Sequence, residues 1–423
     1  MFPRVRATAL AAVLASSPVL ADTFPQSAPE KVGLSSERLA RIGSVLKADI
    51  DKGRIPGAVV AIARKGQLAY FETFGYLDAA RKVDMPRDAI FSLASMSKSI
   101  TSIAIMMLIE EGRLFLSDPV AKYLPGMADM KVGVVKVDAQ GKETVETEPA
   151  KRQPTIQDLL RHTAGLTYGG RGETPIHKLW PAGSAAAAVT YTGPELIAHI
   201  AKLPLIYQPG TVWDYSLSVD VLGLVVEAIA GQSLGAFLQE RVWAPLGMVD
   251  TSFVVPDNKK GRYAVAFPND PVTNRPQSVL LAGKPIKFDC GGACAASTTI
   301  DYLRFAQMLV NGGALDGKRI VSRAMLEMMT SDQLGPEIRA HTTSPILGEG
   351  YTFGLGFAVR QEAGIAPLAG SKGDYTWGGA YGTYFWVDPK EQLVAVFMSA
   401  APGEIRVHYR SLIRSLVLQA IAD

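Results

Sequence analysis

Apolar positions change their period along this chain, and each change marks an element. Leu34, Leu39, Ile42, Val45 and Leu46 recur at helical spacing over residues 34–50, with Ser35 or Ser36 placed to cap the start. The stretch "IPGAVVAIARKGQLAYFETFGYLD" (55–78) alternates instead and breaks at Lys65-Gly66, which predicts a hairpin. After residue 92 the texture turns to helices and long loops. "IAIMMLI" (103–109) is apolar on every face, so its helix should be buried. "VGVVKVDAQGKETVETE" (132–148) reads as a surface hairpin, and 185–189 as a loose loop or short helix. Strand patterns return at "YTFGLGFAVR" (351–360), "YGTYFWVDP" (381–389) and "QLVAVFMSA" (392–400), ahead of an amphipathic helix from about 406 to 421.

Strands near both ends and helices between them predict an α/β fold. Residues 22–91 and 280–423 should meet in one antiparallel sheet flanked by helices, with 92–279 forming a mainly helical domain. A ligand belongs in the crevice between the two. Ahead of them, Arg4 and Arg6, an apolar run over 7–15 and the small residues before Ala21 read as an export signal, residues 1–21. That run is too short and too interrupted to span a bilayer. The expectation is an exported protein, periplasmic or secreted, with no stable membrane insertion.

Charge adds little to this picture, which is itself informative. Lys plus Arg is 43 against 40 for Asp plus Glu, and no basic stripe interleaves with aromatics, so nucleic acid is not an expected partner. Cys290 and Cys294 are the only cysteines. Export permits a disulfide, but so short a spacing closes only if "CGGAC" bends suitably, and two free thiols are the simpler reading. No histidine lies near them, so no metal site is expected, and no motif asks for a cofactor.

One G-x-S-x-G occurs, Gly231 to Gly235, but a nucleophile elbow needs a strand entering the turn. Here "LGLVVEAIAG" is a helical pattern with a glycine stop, so Ser233 reads as the cap of the next helix. Ser95 differs. Lys98 follows it by three residues, nearly one helical turn, at the start of the buried helix. Free backbone N–H groups there face a developing oxyanion. Tyr215, in "WDYSLSVDVLG" (213–223), is a phenol that an ammonium beside it would help to deprotonate, so that it serves as a general base. In "GDYTWGGAYGTYFWVDP" (373–389), Gly378 and Gly379 offer bare backbone to a substrate, and the N–H of Ala380 pairs with that of Ser95 as a second oxyanion donor.

Ser95-x-x-Lys98, Tyr215-Ser216 and Trp377-Gly378-Gly379, in this order, resemble the family VIII carboxylesterases, serine hydrolases with the class C β-lactamase and penicillin-binding-protein fold. The resemblance extends to "DLLRHTAGL" (158–166), "PLGMVDTSF" (245–253) and "GGACAASTTIDYLRFAQML" (291–309). It implies that Ser95 is acylated, Lys98 and Tyr215 are the base pair, Ser95 and Ala380 the oxyanion donors, and Trp377, Gly378 and Gly379 substrate contacts. His162 would be structural. Two departures stand out: Leu217 replaces the asparagine of Tyr-x-Asn, and Trp377-Gly378-Gly379 replaces Lys-Thr-Gly. Both remove groups suited to an anionic β-lactam, which favours neutral short-chain esters with weak β-lactam turnover. The competing readings are a β-lactamase or D-amino-acid peptidase, or a penicillin-binding sensor that stays acylated.

Overall fold

The computed structural model describes residues 24–279, 285–342 and 346–423. The export-signal reading of residues 1–21 lies outside them, as does the expected domain start at residue 280.

Ser35 accepts a hydrogen bond from the N–H of Arg38 and caps helix α1 (Ser36–Asp51). The alternating stretch then forms β1 (Gly57–Arg64) and β2 (Gln67–Asp78), antiparallel. Both turn residues take positive φ, 53° at Lys65 and 75° at Gly66, which is the two-residue geometry whose twist suits a hairpin. A short β3 (Val83–Asp84) ends that edge.

The rest of the sheet comes from the far end of the chain: β4 (Tyr351–Phe353), β5 (Ala358–Arg360), β6 (Tyr375–Gly378), β7 (Tyr384–Asp388) and β8 (Leu393–Ser399). The order is β4-β5-β6-β7-β8-β1-β2-β3, antiparallel throughout, with β1 closing on β8 in the register Ala58↔Ser399 to Arg64↔Leu393. Two expectations are corrected here. "YTFGLGFAVR" is two short strands around a tight turn, because Gly356 sits at φ 98°. And Gly378, expected at the start of a strand, is instead the last residue of β6.

Every residue of β1 is buried, because both faces of the sheet are covered. Ala58, Val60 and Ile62 face α1 and the C-terminal helix α5 (Ile405–Leu418), while Val59, Ala61 and Ala63 join the larger core. That core contains α2 (Ser97–Glu110), α3 (Ser218–Ala230) and α4 (Thr299–Val310). In α2 every residue from Ser97 to Leu108 is buried, which explains its lack of a polar face. The helix Ser184–Thr190 and the hairpin Lys131–Val137 with Glu143–Pro149 complete the picture. Among the described residues no single helix is long and apolar enough to cross a membrane.

Candidate active site

Ser95 sits where a short strand, Ile90–Ser92, gives way to a 3-10 turn, Ala94–Met96, that feeds α2. Ala94 takes φ 45°, a conformation costly for a residue with a Cβ and one that holds the next residue at a sharp bend. Three other hydroxyls of "SLASMSKSIT" are tied down. Ser97 accepts from the N–H of Ala295, Ser99 donates to the Gly356 carbonyl and Thr101 to that of Gly291. Ser95 instead lines the crevice.

Lys98, one turn on, is 2% exposed. Its ammonium has three N–H donors, and three oxygens surround it: Gly292 O at 2.7 Å, the Tyr168 hydroxyl at 3.2 Å and Ser95 Oγ at 3.5 Å. Burial opposes charge here, but Tyr168, Tyr215 and Asp220 outweigh it and raise the ammonium above its ordinary range. Lys98 is therefore a fixed cation beside the serine.

Tyr215 faces the same crevice from just ahead of α3. Lys98 Nζ lies over its ring, 4.6 Å from the centroid, and the Arg171 guanidinium lies 4.8 Å from it. The oxygen accepts a 3.0 Å hydrogen bond from Trp377 Nε1. Trp377 was expected as a substrate contact; its N–H also fixes this phenol. His162 packs 4.7 Å from the Tyr215 ring and is pushed far below its ordinary pKa by burial and by the charges of Lys98 and Arg171, so it stays neutral.

Sequence reasoning missed a second tyrosine. Tyr168 OH lies 2.7 Å from Ser184 Oγ, and Ser184 donates to Asp220 Oδ2 at 2.5 Å. With the serine proton committed to Asp220, Tyr168 donates to Ser184 and its oxygen is left to accept from Lys98. Burial also pushes the Tyr168 phenol up, so it keeps that proton. Tyr168 holds the lysine; Tyr215 is the phenol free to face a substrate. Nothing in the spacing of "GLTYGG" marks this role.

Cys290 and Cys294 form a disulfide, with Cα atoms 5.2 Å apart. The free-thiol expectation fails because the chain turns there, the N–H of Ala293 and of Cys294 both reaching Cys290 O. The closed loop presents Gly292, whose carbonyl receives Lys98 and whose N–H donates to Asp220 Oδ1. Removing both cysteines is expected to cost about 2 kcal/mol of stability and to lower kcat more than KM. Denaturant midpoints and steady-state kinetics check both; unchanged kcat would mean that Gly292 holds its place unaided.

The space at the two glycines is already taken. A Cβ at Gly378 would lie 2.5 Å from Arg410 Cζ, and one at Gly379 would lie 2.3 Å from Leu93 O and 2.1 Å from Thr383 Oγ1. Thr383 donates to Leu93 O at 3.0 Å and its own carbonyl accepts from Gly379, pinning the turn that carries Ala380 to the segment that carries Ser95. The crevice has two compartments that meet at Ser95. One, of about 660 Å³, runs past Tyr168 and Ser184; the other, of about 520 Å³, runs past Leu347, Trp377 and Arg410. Ser95, Tyr215 and Ala380 line both, so the reacting bond has room on either side.

Trp377→Phe keeps an aromatic ring but removes the bond to Tyr215. The expected result is a kcat about 3- to 10-fold lower with KM little changed, from the loss of one neutral hydrogen bond. A raised KM at constant kcat would instead make Trp377 a wall alone.

Residues 42–417 match the family described as Beta-lactamase. Protein Rv1367c of Mycobacterium tuberculosis (strain ATCC 25618 / H37Rv) is 36% identical over 361 residues, 82% of this chain and 86% of that one. Esterase EstB of Burkholderia gladioli is 30% identical over 369 residues, 82% of this chain and 87% of its own. Among solved structures, EstCE1, described as a hydrolase with promiscuous acyltransferase activity, superposes with a TM-score of 0.73 at 28% identity, covering 90% of this chain and 98% of that one.

Proposed function

The chain belongs to the beta-lactamase family and is a serine hydrolase of the esterase type within it; from that premise we propose that it hydrolyses short-chain carboxylic esters through an acyl-enzyme on Ser95, with weak turnover of β-lactams. The observation that carries this reading is Ser95 Oγ, 3.5 Å from a buried ammonium, at the junction of two compartments.

In this reading Ser95 Oγ attacks the ester carbonyl while Tyr215, entering as the phenolate beside Lys98, takes its proton. The oxyanion forms against the N–H groups of Ser95 and Ala380. Collapse breaks the bond to the alkoxy oxygen, which receives the proton from Tyr215 and leaves as the alcohol. Water then attacks the acyl-enzyme with Tyr215 again as base; collapse breaks the bond to Ser95 Oγ, which takes that proton back from Tyr215, and the acid departs. Lys98 stays charged throughout and steadies Tyr215 whenever that phenol carries negative charge. No glutamate is needed for the second half.

The test is a panel of aryl esters of varied acyl length beside a chromogenic cephalosporin. Steady turnover with kcat/KM highest on a short ester supports the reading. A single burst per protein would make this a penicillin-binding sensor, and a higher value on the cephalosporin would make it a β-lactamase. We also propose that the protein is exported: residues 1–21 and a disulfide both suit an oxidising compartment. N-terminal sequencing of the protein from the periplasm or the medium would find cleavage near Ala21; an intact Met1 there would refute it.

A further inference from the structure

Trp377 replaces a lysine that would face a substrate carboxylate, yet the compartment beside it holds a cation from another element. Arg410 projects from α5 onto the end of β6, into the space left by the absent Cβ of Gly378. Its Nη2 donates to Gly379 O at 2.6 Å. Its Nε is buried with no partner, and among the described residues Nη1 makes no hydrogen bond. Among the described residues no carboxylate pairs with Arg410.

The neighbouring charges do not neutralise it. Arg406 is occupied by the carbonyls of Pro402 and Gly403 and lies 3.8 Å from Glu404. Arg171, a second guanidinium, has the Asp214 carboxylate as its own electrostatic neighbour. Glu349 and Glu404 line the compartment but are exposed. The position of Arg410 is fixed from one turn further on, where buried Arg414 pairs with Asp374 and donates to Ala369 O. A largely buried cation without a counter-ion is costly, and a bound anion relieves that cost. Burial and the like charge of Arg406 accordingly pull the guanidinium down to about 10.

We propose that this compartment is an anion subsite built on Arg410, and that the preferred substrates are half-esters, short-chain esters carrying a free carboxylate at the end remote from the scissile bond. The Gly379–Ala380 peptide joins the two functions, its carbonyl held by Arg410 and its N–H offered to the oxyanion. A carboxylate there gains a charge-assisted bond that a neutral chain does not. The expectation that the missing lysine selects for neutral esters thus gives way: the cation has moved from the strand to α5.

The kinetic arm of this proposal rests on the ester-hydrolase reading, so the experiment includes a binding arm that does not. The 4-nitrophenyl half-ester of adipic acid is compared with 4-nitrophenyl hexanoate. The wild-type protein should favour the half-ester in kcat/KM by about 10- to 100-fold, the worth of one hydrogen bond to a charged group. Arg410→Gln should collapse that ratio toward one, and Arg410→Lys, which keeps the charge, should restore part of it. A wild-type ratio at or below one overturns the proposal, whether or not Arg410→Gln folds. So does an equal loss on both esters in an Arg410→Gln protein of unchanged thermal midpoint. If neither ester is turned over, the esterase reading falls by itself. Calorimetry of adipate against the Ser95→Ala protein then decides the subsite. Binding that Arg410→Gln removes sustains it, and no binding overturns it.

Discussion

Ser95→Ala is expected to cut ester turnover by about a millionfold, the scale seen when the nucleophile of an acyl-enzyme mechanism is removed. The protein should remain folded, because the Ser95 side chain lines the crevice and, among the described residues, its one hydrogen bond comes from Lys98. Ser233→Ala supplies the contrast. Ser233 accepts from the N–H of Ala236 and caps the short helix Leu234–Leu238, following Gly231 at φ 70°. Losing that cap costs about 1 kcal/mol of stability and leaves the rate near its original value. Kinetics on both purified variants, with thermal midpoints beside them, check the pair. A folded but inactive Ser233→Ala protein, or an active Ser95→Ala one, would remove Ser95 from the mechanism.

Lys98 and Tyr215 should behave as one unit. Each single variant, Lys98→Met or Tyr215→Phe, is expected to lose roughly 10²–10⁴-fold in kcat, and the double variant little more than the worse of the two. The ammonium lies over the phenol ring, so the coupling is electrostatic: Lys98 steadies Tyr215 when Tyr215 carries charge. Additive losses in that cycle would show two independent roles. Tyr168→Phe separates the two tyrosines. Its hydroxyl only positions Lys98, so the loss should be far smaller than for Tyr215→Phe. A larger loss at Tyr168 would exchange their roles.

What could be read from the chain alone is what neighbouring residues settle between themselves. The cap at Ser35, the Lys65-Gly66 turn, the burial of α2 and the placement of Lys98 one turn after Ser95 each depend on spacings of a few residues. Strand β6 escaped notice because its alternation lasts only four residues before the glycines begin. The contacts that make the crevice chemical come from much further off. Lys98 meets Tyr168 across 70 positions and Gly292 across 194, and Trp377 meets Tyr215 across 162.

No periodicity records such meetings, and a main-chain carbonyl such as that of Gly292 leaves no residue type to recognise. Arg410 is the clearest case. Position 377 lacks a cation in the sequence, but the packing of α5 over β6 places one against Gly378. The sequence determined which segment could carry a nucleophile, because helix geometry is local. Only the tertiary structure decided what surrounds that nucleophile, because the charge facing a substrate depends on which elements pack together.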